Sequence, residues 1–187
     1  MKKSIFAVFF IFILSGVYGQ NFNVFPRGGM NDQLGVVGNG KVTFISIGNN
    51  GQIVSELSLP AGSISVFPRG GMNDQLGVVG NGKVTFISIG NNGQIVSELP
   101  LPAGSISVFP RGGMNDQLGV VGNGKVTFIS IGNNGQIVSE LSLPAGSTSV
   151  FARRGMNDQL GVVGNGKITF ISIENNGEIL SELPLPR

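Results

Sequence analysis

The side chains able to do chemistry are few, and they recur at a fixed interval. Arg27 and Asp32 flank a Gly-Gly-Met-Asn loop. The pattern returns at Arg69 and Asp74, at Arg111 and Asp116, and at Arg153 and Asp158, where Arg154 replaces the first glycine. Loops held on rigid sheets often carry binding contacts, so these eight residues form a candidate repeated binding loop. The alternative is a solvated loop whose charges keep the array soluble. Each loop has one carboxylate, too few oxygens for a firm calcium site. A carboxylate pair for glycoside cleavage would have to be assembled from different loops. Met30, Met72, Met114 and Met156 sit in the same loops. They fit either an apolar contact ring, because methionine surfaces adapt to partners, or core filling.

The inventory excludes much else. The sequence has no His, Cys or Trp, and its one Tyr is Tyr18. The usual zinc ligands are therefore absent, as are Ser/His/Asp and Cys/His nucleophile systems. Disulfides cannot form, so packing and sheet hydrogen bonds must supply stability. Val37-Gly-Asn-Gly40 lacks the Lys-Ser/Thr follow-on of a phosphate loop. Phe25 and Phe44 recur in every copy and read as core, since sugar or base stacking favours Trp or Tyr. No catalytic residue set and no cofactor or metal is expected.

Residues 1–19 read as an export signal. Lys2 and Lys3 precede an apolar run from Ile5 to Leu14, and Val17-Tyr18-Gly19 leads to Gln20. The run is shorter than the roughly 20 residues of a membrane span, and the order of parts is that of a secretory signal. Its removal changes the charge. The whole chain carries twelve Lys and Arg against ten Asp and Glu, and two of the twelve leave with the signal. The remaining 168 residues are formally neutral. They lack the clustered basic residues that nucleic acid requires and the basic amphipathic helix of a membrane-surface protein.

What positions the loops is a 42-residue unit repeated four times: 24–65, 66–107, 108–149 and 150–187. Units one and two differ only at Ser58 against Pro100, and units one and three only at Ile64 against Thr148. The fourth drifts further, with Ala152, Arg154, Ile168, Glu174, Glu178 and Leu180, and stops four residues short. Terminal copies of repeat arrays are often altered in this way. Residues 20–23 could complete it, as in a ring closed by strand exchange between the termini. Such a ring is one way to reach this count, and an open array is another.

Within a unit the patterns are β. Gln33–Val37, Lys41–Ile47, Gln52–Leu57 and Ile64–Phe67 are rich in residues suited to a pleated surface. Alternation predicts Ile53 and Leu57 on one face, and burial of Ile64 with Val66 or Phe67. Asn39-Gly40 and Asn50-Gly51 suit the positive φ angles of hairpin turns. Four strands in such a unit match one propeller blade. Asn-Gly-Gln-Ile-Val-Ser-Glu-Leu-Pro-Leu-Pro at 92–102 resembles blades of the NHL and streptogramin-lyase kind. The resemblance covers only that stretch of each unit and implies the fold. The His and aromatic residues such enzymes would supply are missing. The expected architecture is an all-β, small four-bladed propeller-like ring, with a β-solenoid or open repeat array as the alternative.

These features point to a secreted, non-catalytic repeat protein acting as an extracellular structural, adhesive or multivalent interaction component. Self-association, glycans and extracellular surfaces are the partner classes considered. A lectin-like or immune effector binding microbial surfaces is the alternative, and a propeller-type enzyme a third.

Overall fold

The structure, a computed structural model, describes residues 23–153 and 155–186. The expected signal segment, 1–19, lies outside them. The fold is all-β, with four repeated four-stranded blades arranged as a β-propeller. Blade 1 holds β1 (Asn23–Pro26), β2 (Gln33–Gly38), β3 (Lys41–Ser46) and β4 (Ile53–Ser58). Blade 2 holds β5 (Ser63–Pro68), β6 (Gln75–Gly80), β7 (Lys83–Ser88) and β8 (Ile95–Pro100). Blade 3 holds β9 (Ser105–Pro110), β10 (Gln117–Gly122), β11 (Lys125–Ser130) and β12 (Ile137–Ser142). Blade 4 holds β13 (Ser147–Ala152), β14 (Gln159–Gly164), β15 (Lys167–Ser172) and β16 (Ile179–Pro184).

Each blade is an antiparallel meander in chain order. Its tightest turn is written in two residues. Gly38 pairs with Lys41, and Asn39 and Gly40 between them have φ of 51° and 71°, the left-handed pair that a two-residue hairpin needs. The first strands of successive blades adjoin, β1 to β5 to β9 to β13, placing them innermost and leaving β4, β8, β12 and β16 outermost. Every described blade is built from its own consecutive strands, with Asn23 opening β1 of the first blade; residues 20–22 lie outside the described residues. The structural boundary also falls earlier than the textual one. Ser63, Ser105 and Ser147 open β5, β9 and β13, so the last three residues of units one to three start the next blade.

Strand pleating gives a blade two apolar faces. Phe25, Val42, Phe44 and Leu57 lie on the forward face of blade 1, and all four are buried. They pack against Val66, Leu76, Val78 and Ile87 on the rear face of blade 2. The same pairing recurs between blades 2 and 3 and between blades 3 and 4. The hydrophobic core is thus three inter-blade layers. At each forward face a phenylalanine lies flat across a glycine of the neighbouring strand. A Cβ on Gly77 would come within 2.3 Å of the Phe67 ring, so only glycine admits that ring.

Two expectations about facing fail for one reason, the β-bulge. Pairing shifts between Phe44 and Ile45, which match Ser55 and Ile53. The extra residue, Val54, reverses the alternation, and Ile53 points to solvent at 60% exposure while Leu57 is buried. A second bulge between Ser63 and Ser65 throws Ile64 outward at 79% exposure. Val66 and Phe67 are both buried, because β5 has a blade against each face.

Candidate functional site

The loops that carry Met30, Met72, Met114 and Met156 connect the first and second strands of their blades and meet in a continuous row. Gly28 and Gly29 lie against Asn73 of the next loop, where a Cβ on Gly29 would sit 2.5 Å from the amide nitrogen. Gly71 meets Asn115 and Gly113 meets Asn157 in the same way. Gly29 and Gly71 both have φ of 71°, so glycine there serves both the turn and the close approach. The loops therefore converge on one rim, beside the inner strands. Met30, Met72, Met114 and Met156 are about half exposed there, at 46–47%. They do not fill the core.

Arg27 and Asp32, which flank the loop, turn to different partners. The Arg27 guanidinium carbon lies 4.7 Å from the centroid of the Phe44 ring, and one terminal nitrogen donates to Gln33 Oε1 at 2.7 Å. Phe44 meets Phe25 edge-to-face, with centroids 6.5 Å apart. Arg69, Arg111 and Arg153 sit over Phe86, Phe128 and Phe170 at 4.6, 4.6 and 4.5 Å. Arg27, Arg69 and Arg111 are thus cationic lids on the inter-blade layers, and Arg153 covers the equivalent ring of blade 4, a geometry in which the ring face attracts the charge.

Asp32 closes the turn between β3 and β4. Its Oδ2 accepts from Ser46 Oγ and its Oδ1 from the Gly48 N–H, both at 2.6 Å. Ser46 Oγ in turn accepts from the Asn49 N–H at 3.2 Å. These donors hold the Asp32 carboxyl below its ordinary range, Ser46 contributing most. Asp74, Asp116 and Asp158 make the equivalent bonds to Ser88 and Gly90, Ser130 and Gly132, and Ser172 and Glu174. Glu174 replaces a glycine in the last copy without loss of the bond, because the donor is a backbone N–H.

A further polar group joins β3 to β4. Lys41 Nζ lies 2.6 Å from Glu56 Oε1, and Thr43 Oγ1 donates to the same oxygen at 3.1 Å. The pair repeats as Lys83–Glu98, Lys125–Glu140 and Lys167–Glu182, each at 2.6 Å. In every blade the lysine is the largest cause that holds the glutamate below its ordinary range. Its sequence signal is the register: Thr43 pairs with Glu56, and Lys41, two residues before Thr43, shares its face and reaches diagonally. Among the described residues, no three His, Cys, Asp or Glu side chains gather as a metal site.

No protein-family model matches the chain, and no curated protein matches it in sequence. Solved structures match in shape. The chain is similar to Hsv2 of Kluyveromyces lactis, with a TM-score of 0.52 at 9% identity. A form of that protein with loop 6CD replaced by a Gly-Ser linker gives 0.51 at 9% identity. The first match covers 82% of this chain and 60% of Hsv2, so the chain spans about three-fifths of that protein's length. At this identity the likeness carries the fold alone.

Proposed function

We propose that the chain is a secreted, non-catalytic, multivalent interaction component whose contacts are made by the Gly-Gly-Met-Asn rim. The observation that carries this reading is the equivalence of the four methionines. Each is about half exposed, and each sits in a loop joined edge to edge with the next. A single exposed apolar residue is ordinary, whereas here one recurs at the equivalent place of four adjoining loops. Four equal weak contacts on one rigid frame gain avidity without any strong single site. The charged residues of the loops support the same division of labour. Arg27 and Asp32, with their copies, are engaged with the frame, which leaves the methionine and backbone at the tip to meet a partner.

The test follows from that division. Arginine substitutions would disturb the frame as well as the loop, so the informative variants are Met30→Ser, Met72→Ser, Met114→Ser and Met156→Ser, alone and combined. Binding to isolated cell envelopes, extracellular matrix and an immobilised glycan panel should fall stepwise with each added substitution. Folding, followed by far-ultraviolet circular dichroism, should stay unchanged. Undiminished binding by the quadruple variant would remove the rim from the argument.

A further inference from the structure

The end blades carry two uncovered faces made of residues that are buried or partly buried at the equivalent places of the other blades. On the forward face of blade 4, Leu183 is 52% exposed, whereas its counterparts Leu57, Leu99 and Leu141 are at 2–3%. Phe151 is 37% exposed against 4% for Phe25, and Ile168 and Phe170 are only partly buried. On the rear face of blade 1, Val24 is 37% exposed against 4% for Val66. Leu34, Val36 and Ile45 are partly buried, while Leu76, Val78 and Ile87 in blade 2 are at 0–2%.

From this we infer that the forward face of blade 4 docks on the rear face of blade 1 of a second copy, and that two copies close into one ring. The interface is already drawn three times inside the chain. Phe109, Val126, Phe128 and Leu141 of blade 3 pack on Val150, Leu160, Val162 and Ile171 of blade 4. The free forward face offers Phe151, Ile168, Phe170 and Leu183, and the free rear face Val24, Leu34, Val36 and Ile45. Seven of these eight match the internal set in residue type. The exception is Ile168 for Val126, one methyl larger, at a position where the face is open. Complementarity is therefore a consequence of the repetition. The contact is heterologous, and such contacts form rings when the rotation closes and filaments when it does not. Propellers usually hold about four to eight blades. One copy supplies four but leaves both end faces open; two supply eight, whereas three would supply twelve.

Sedimentation of the full chain across a wide concentration range should show a species of twice the monomer mass, with no ladder of larger ones. Leu183→Lys and, independently, Val24→Lys should each abolish it while leaving circular dichroism unchanged, since both side chains are already exposed in the single chain. An equimolar mixture of the two variants should recover a dimer. In that pair the unmodified blade 4 of Val24→Lys meets the unmodified blade 1 of Leu183→Lys, giving one intact interface and an open, weaker dimer. A wild-type chain that stays monomeric would overturn the inference. So would a dimer that survives both substitutions, or a mixture that stays monomeric. An unbounded ladder would overturn closure at two copies. None of these outcomes depends on what the rim binds.

Discussion

One leucine, repeated four times, measures how the blades are covered. Leu57, Leu99, Leu141 and Leu183 occupy the same place in the unit, and the first three are 2–3% exposed while the last is 52% exposed. Truncating a buried leucine to alanine costs about 2–5 kcal/mol, because the lost transfer energy is joined by a cavity. Leu99→Ala and Leu141→Ala should fall in that range. At Leu183 solvent already reaches half of the side chain and can fill what is removed. About half of the roughly 2 kcal/mol transfer term remains there, or ~1 kcal/mol. With a urea dependence of about 2 kcal/mol per M, the internal variants should lower the midpoint by ~1–2.5 M and Leu183→Ala by ~0.5 M. The assay is urea unfolding by circular dichroism at protein concentrations dilute enough for a monomer. If Leu183→Ala then costs as much as Leu99→Ala, blade 1 covers blade 4 within one chain, and the reasoning from exposed end faces is wrong. Raising the protein concentration should bring the cost at Leu183 toward the internal value, because the second copy buries it.

The other predictions rest on separate contacts. Gly77→Ala should destabilise by about 1–3 kcal/mol, the usual cost of overpacking, because the new methyl would lie 2.3 Å from the Phe67 ring. Gly161→Ala makes a closer approach, 2.1 Å to Phe151, yet should cost less, since Phe151 is on the open face and can swing out; comparing the two thermal midpoints checks this. Asp74→Ala should loosen the turn after β7 and speed hydrogen exchange of the Gly90 amide, leaving exchange in β6 and β7 unchanged. Glu56, Glu98, Glu140 and Glu182 are held below their ordinary range in the folded chain. The unfolded chain therefore binds protons first as pH falls. The stabilisation is complete above the ordinary glutamate range and is lost as pH drops through the lower folded-state range. Glu98→Gln combined with Glu140→Gln should flatten that acid limb in a series of unfolding curves.

Much of the frame was legible in the residues because its causes are local. Asn39-Gly40 set the hairpin by its backbone conformation, and the alternating runs on either side set two strands. The 42-residue period set the number of blades. The bulges at Val54 and Ile64 were not legible. One extra residue reverses every side chain that follows, and its position depends on the partner strand's register. The partners of Arg27 and Asp32 were not legible for a related reason. Phe44 and Ser46 lie more than ten residues from Arg27 and Asp32 in the chain, and the blade brings them to those two side chains.

The sequence by itself determined an all-β chain of four near-identical blades, with neutral charge after residue 19 and no His, Cys or Trp for chemistry. Only the tertiary structure decided which copies of an identical residue are covered. Leu57 and Leu183 occupy the same place in the unit, each after a glutamate, yet one is core and the other surface. Burial is a property of what stands opposite. For the forward face of blade 1 that is blade 2, and for the forward face of blade 4 nothing within the described residues takes that place.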